Sequence, residues 1–380
     1  MRLFERKSRK ATSLHCSAGR KSACLHLATV VVCVAAACLM AACSANPDVP
    51  RKKHHRSWLT PVSSGNPYEV MVVCEDSLWQ GYAGRAIREV LEKDVPMLPQ
   101  PEPMFHVSHV VPANYNRITN IFRNIIHIEV SNQTTMPQIK YERNVFSDPQ
   151  LIINVKGPDG NSISTYITEQ TRQLIQNLSA EEINRNAALL EEKYNIEFYR
   201  QCKKMFGCEL FIPNDLLKMK VGDNFIWASN DGISTSQSIC IYSYPYVSEK
   251  VFTRHAYIAL RDTFMRRNIP GAEPGQYMTT NHDYVQVKAM NVRGRYVFEA
   301  RGLWRMENDM MGGPFVSHST VDTVNNQVIV VEGFVYAPDK MKRTMIRRLE
   351  AALYTLRLPQ AQAVKDEKTN SGKANKEENK

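Results

Sequence analysis

Apolar positions recur along residues 67–358 at two periods, and the alternation divides the chain into strands, helices and Pro-rich connectors. "YEVMVVC" (68–74) is an unbroken apolar run and predicts a strand. Over 77–94, Trp79, Tyr82, Ala83, Ala86, Ile87, Val90 and Leu91 fall at helical spacing, and Ser77 with Gln80 makes a capping-box start. "VPMLPQPEP" (95–103) cannot continue that helix and reads as an extended connector. Strands are expected at 104–110, 120–130 and 150–156. A helical region covers 161–206, with Ile183, Ala187, Leu190, Tyr194, Phe198 and Met205 near one face. A second capping box, Ser179 with Glu182, allows two helices there, and Gly207 ends them. Residues 208–213 return to strand.

The second half repeats the rhythm. Strands are expected at 224–229 and 238–244, then a helix over 248–268 with apolar Phe252, Ala256, Ala259, Leu260 and Phe264. A connector at 269–280 leads to strands at 283–290, 294–304, 314–324 and 327–336. The final helix, 340–357, turns Met341, Met345, Leu349, Leu353 and Leu356 inward and Lys340, Lys342, Arg343, Arg347 and Arg348 outward. The predicted class is α+β: antiparallel-rich sheets with packed helices. The expected divisions are a first half at 67–220 and a second at 221–358, two related sub-domains by their shared rhythm.

The ends have a different composition. Residues 1–42 carry seven basic side chains against Glu5 alone, then an apolar run from Leu25 to Met40 that falls short of the about 20 residues a membrane span needs. A basic stretch, a short apolar stretch and small residues before a cut predict a secretory signal peptide over 1–42. Residues 43–66 are polar and Pro-rich and read as a tether; the charged tail, 359–380, reads as disordered. The net charge is +10, but the excess sits in the signal, in "RKKHHR" (51–56) and in the tail, which leaves the body neutral. That distribution argues against a nucleic-acid partner, which calls for basic residues on the folded part. "RKKHHR" is placed to meet anionic head groups or to serve as a solvated linker.

"MAAC", ending at Cys43, resembles the lipobox of bacterial lipoproteins, in which the thiol is lipidated and starts the mature chain; Cys38, inside the apolar run, is a second candidate. Further on, "NFIW", "IYSYPY", "NIPG", "YMTT", "RGLW", "MGGPFVSHS" and "EGFVYAP" resemble a family of uncharacterised Bacteroidetes lipoproteins known as a domain of unknown function. The resemblance implies a lipid-anchored cell-envelope protein and brings no activity or cofactor. "SANPD" after Cys43 lacks a strongly acidic run, which favours the periplasm over surface display.

The polar residues of the second half are the remaining candidates for chemistry. Ser317 and His318 are neighbours on an expected strand, so their side chains point to opposite faces and form no dyad. A two-residue turn at Asn325 and Asn326 would place Asp322 opposite Ile329, Ser319 opposite Glu332 and His318 opposite Gly333. Gly333 would then leave space beside the imidazole. Glu299 and Arg301 share a face, with an ion pair as the default role; Arg301 with Trp304 would alternatively line a recognition groove. Cys202 and Cys208 are spaced to close a small disulfide loop, which an oxidising compartment permits. His106 and His109 are three apart on a strand, no cysteine has zinc-like spacing, and no metal or other cofactor is expected. Two functions stay open: a non-catalytic partner for an envelope protein, glycan or lipid, or an envelope hydrolase or transferase using Glu299, His318, Asp322 or Glu332. The absence of a G-x-S-x-G elbow favours the first.

Overall fold

A computed structural model describes residues 60–232 and 234–360. The signal segment, Cys38, Cys43, the basic run and nearly all of the tail lie outside the described residues. The expected tether ends earlier than 66: Val62 pairs with Asp148 and Ser64 with Phe122 as isolated bridges.

The first sheet contains β1 (Glu69–Val73), β2 (His106–Val110), β3 (Asn124–Val130), β4 (Gln138–Arg143) and β5 (Leu151–Gly157), in the order β2-β1-β3-β5-β4. Helices α1 (Asp76–Gln80) and α2 (Tyr82–Leu91) follow β1, and α3 (Gly160–Glu169) and α4 (Thr171–Glu192) follow β5. All its pairings are parallel except β4 with β5. This sheet is therefore mixed, within the expected α+β class in which most strand pairs are antiparallel. The crossover through α1 and α2 returns the chain to the end where β1 began, and a parallel pair requires such a return. Ala86, Ile87, Val90 and Leu91 of α2 share one core with Val70, Val72, Ile126 and Ile153. On the opposite face, Met71, Val73, Ile125 and Ile152 lie under a loop that supplies Tyr115 and Phe122.

The second sheet is wholly antiparallel, in the order β6-β7-β8-β12-β11-β10-β9. Its strands are β6 (Lys218–Gly222), β7 (Phe225–Ser229), β8 (Ser236–Pro245), β9 (Tyr277–Val292), β10 (Arg295–Glu307), β11 (Gly312–Asp322) and β12 (Gln327–Tyr336). One face packs α5 (Ile196–Phe206) and α7 (Arg343–Leu353), through Phe198, Cys202, Phe206 and Leu349 against Ile226, Ile239 and Ile329. The other packs α6 (Arg254–Asn268), through Tyr257 and Met265 against Phe298, Phe315 and Val330. Because α5 belongs to this core, the boundary expected at 220 moves back to the start of α5. The two halves share an element rhythm but not a strand pairing. Residues 208–213 are not a strand: Glu209 and Pro213 make only isolated bridges. β9 begins at Tyr277, inside the expected connector.

Helix α7 joins the halves. Glu102, in the Pro-rich connector, accepts the backbone N–H groups of Lys342 at 2.6 Å and Arg343 at 2.8 Å. Unpaired donors at a helix N-terminus are thus satisfied by a carboxylate that also suits the helix dipole. Lys342 Nζ donates to Gln100 Oε1 at 2.7 Å, and Arg347 lies over the Tyr68 ring at 5.0 Å. Lys342 and Arg347 are consequently buried and Met341 is exposed, which reverses the expected orientation of those three residues. Helix α7 also sits very close to the sheet. A Cβ on Gly333 would meet Leu349 Cβ at 2.7 Å, so the missing side chain admits the helix rather than a ligand.

Candidate functional site

The sequence candidates of the second half divide between two buried charge clusters on opposite faces of the seven-stranded sheet. The first lies under α7. Glu299 on β10 stands directly opposite His318 on β11 and Lys288 on β9. Arg301 donates to both Glu299 oxygens, at 2.9 and 3.1 Å, and also pairs with Glu350 on α7. Arg347 donates to Glu350 at 3.1 Å, Lys288 pairs with Glu299 at 3.0 Å, and His318 Nε2 is 3.5 Å from Glu299. The Tyr354 ring meets the His318 ring edge-on at 4.9 Å. Burial opposes charge on Glu299, but Arg301 and the neighbouring His318 outweigh it and hold the carboxyl well below its usual range. Glu350 is also lowered: burial is again outweighed, here by Arg301 and Arg347. Burial works against the Arg301 charge too, yet Glu350 and Glu299 keep it firmly protonated.

The second cluster lies under α6. Arg261 donates to Glu332 from Nη2 at 2.7 Å and from Nε at 3.1 and 3.0 Å, while Tyr257 donates to the same carboxylate at 3.2 Å. Arg261 Nη1 donates to Thr280 Oγ1 at 2.8 Å, and the guanidinium lies 4.1 Å over the Phe315 ring. Both charged side chains are fully buried. Burial pushes the Glu332 carboxyl up against the opposing pull of Arg261; the two-point contact with a guanidinium is the geometry of an ionised pair.

Strand alternation separates the Ser and His of "SHS" as expected. Ser317 faces α6 opposite Glu332, and His318 faces α7 opposite Glu299. The register nevertheless differs by two residues from the expected one. Asp322 pairs with Gln327, His318 with Val331, and Gly333 with Val316, so no glycine stands directly opposite His318 on β12. The loop is four residues long because the Asp322 carboxylate accepts the N–H groups of Val324 at 3.0 Å and Asn325 at 3.3 Å. Asp322 is a loop cap, and these contacts with the Asn325 and Gln327 side chains outweigh burial and lower its pKa.

The expected groove at Arg301 and Trp304 is not formed. Three residues apart on one strand, they lie on opposite faces. Trp304 is buried in the α6-side core, where its indole N–H donates to Val335 O at 3.2 Å. Gly313 makes that contact sterically feasible, since a Cβ there would meet Val335 O at 2.0 Å. Cys202 and Cys208 are free buried thiols, not a disulfide. The left-handed turn at Gly207 sends the chain off the helix, and Cys208 Sγ contacts Phe206 O at 3.5 Å. Burial pushes Cys202 well up and Cys208 up to about 12, so both thiols stay protonated and unreactive. His109 stacks on Trp79 at 4.6 Å, with Nε2 2.9 Å from Cys74 O. Among the described residues, no group of three or more His, Cys, Asp or Glu is placed to hold a metal ion, and no helix is long and apolar enough to cross a membrane.

Arg261, Tyr257 and Glu350 escaped the sequence reading, which also turned Arg347 outward. The usable signal was period. Tyr257, Arg261 and Met265 are four apart on the buried stripe of α6, and Ile346, Glu350 and Leu353 line that of α7. A charge inside an apolar stripe implies a buried partner.

The molecule is thus a two-domain α+β protein whose helices are fixed to an antiparallel sheet by buried ion pairs. Two family models match it. Residues 63–191 are similar to a domain of unknown function, DUF8532, and residues 196–355 to another, DUF4837. The junction between the matches falls at the end of α4, where the second core begins. No curated protein matches the chain.

Proposed function

We propose that the chain is a lipid-anchored cell-envelope protein with a non-catalytic binding or structural role, facing the periplasm. The observation that supports this reading is the state of the candidate acids. Glu299, His318 and Glu332 have side chains 0–3% exposed, each is held by a charged partner, and each lies beneath a helix. A general acid or base must reach a substrate proton, and these groups face packed side chains instead. The lipobox-like "MAAC" supports the anchor.

Two results test the two parts. Metabolic labelling with a fatty-acid analogue is expected to mark the wild-type chain and be lost in Cys43→Ala; label that persists would overturn the assignment of the anchor to Cys43. A fluorophosphonate probe, which captures activated serines, is expected to leave the native protein unmarked. Labelling that disappears in Ser317→Ala would establish a hydrolase instead.

A further inference from the structure

Three loops meet where the chain enters the first domain. They lie at the edge of the sheet where β1, β3 and β5 begin and β4 ends. Ser64 N–H donates to Ile121 O, and Arg123 N–H donates to Ser64 O, each at 2.9 Å. Asp148 N–H donates to Pro61 O at 3.0 Å, and Ser147 Oγ donates to Ile121 O at 2.9 Å. Gln150 Nε2 donates to Asn120 O at 2.6 Å and to Phe122 O at 2.8 Å, while its Oε1 accepts Phe146 N–H at 3.0 Å. The loop backbones are therefore tied to one another.

Four of their apolar side chains nevertheless point outward. Val62 is 60% exposed, Ile118 80%, Val145 50% and Phe146 40%. Arg117 is exposed next to Ile118, and Arg143, half-exposed and paired with Glu181, precedes Val145. Outward Ile, Val and Phe with flanking Arg is the composition of a surface that enters a bilayer interface. The place where the chain leaves the fold decides the occupant. Residues 44–59 alone separate Cys43 from this edge, and a chain of that length spans at most about 55 Å. The segment also carries Arg51, Lys52, Lys53 and Arg56, the charge that suits anionic head groups.

We infer that the loop edge formed by Val62, Ile118, Val145 and Phe146 is a bilayer-contacting surface that docks the folded domain on the membrane holding its anchor. This rests on the proposed lipidation at Cys43. Contact at this edge points the opposite ends of the same strands, with Trp79 and His109, away from the lipid.

The test uses the full lipidated chain in vesicles of phosphatidylethanolamine and phosphatidylglycerol. Ile118→Cys and Phe146→Cys carry an environment-sensitive dye, with Leu217→Cys, 77% exposed in the second half, as the control position. The native thiols Cys74, Cys202, Cys208 and Cys240 are buried. The expected result is a blue shift and quenching by spin-labelled lipid at Ile118→Cys and Phe146→Cys, and neither at Leu217→Cys. Protein that floats with the vesicles yet shows no quenching at the loop positions would overturn the docking surface and leave the anchor intact. Protein that does not float would overturn both.

Discussion

Replacing Arg301 by Met is expected to lower unfolding free energy by about 3–5 kcal/mol near pH 7, read from the urea midpoint. Arg301 stands between Glu299 on the sheet and Glu350 on α7, and it contacts both. Without it two buried carboxylates face each other, with Lys288 and Arg347 left to balance them and the His318 ring beside Glu299. Buried like charges cannot both stay ionised, so at least one carboxyl rises in pKa.

The pH dependence should change sign with that substitution. In the wild type, Glu299 and Glu350 are depressed in the folded state. Their contribution is full above the ordinary glutamate value of about 4.3 and is lost as pH falls through the lowered folded values. In Arg301→Met the raised carboxyl binds its proton more tightly when folded. Stability then declines as pH rises from about 5 to 7. A variant within about 1 kcal/mol of wild type, with no such slope, would show that the cluster does not hold α7.

Glu332→Gln should be about as damaging, with an expected loss of about 3–5 kcal/mol. The substitution keeps the size of the side chain but leaves the Arg261 charge under α6 with no anion in contact at close range; Asp262 is 3.9 Å away and partly exposed. Thr280 and the Phe315 ring still meet the guanidinium, but neither neutralises it. Arg261→Met is expected to lose a comparable amount, because Glu332 would then be the uncompensated charge.

Much of this arrangement was legible from the sequence. The face assignments of Ser317, Ser319, His318, Asp322 and Glu332 follow from alternation alone, and a shift of two residues preserves them. The register was not legible. It depends on Asp322 capping a four-residue loop where "NN" suggests a two-residue turn. The parallel pairing of β1 with β2 and β3 leaves no periodic mark, since strands buried on both faces read as plain apolar runs. β4, "QIKYER", is a polar edge strand with too little apolar alternation to stand out. The inward turn of Arg347 and Lys342 depends on Tyr68 and Gln100, far away in the chain, and no local pattern reports them.

The central claim is that the buried charges of the second half hold helices to a sheet. The double-mutant cycle of Arg261→Met and Glu332→Gln, measured by urea unfolding near pH 7, tests it most directly. The account predicts that both single variants are destabilised, that the double variant recovers much of the loss, and that the coupling is about 2 kcal/mol or more. Single variants more stable than wild type, as follows when a strained catalytic group is removed, would contradict it. So would additive losses with no coupling.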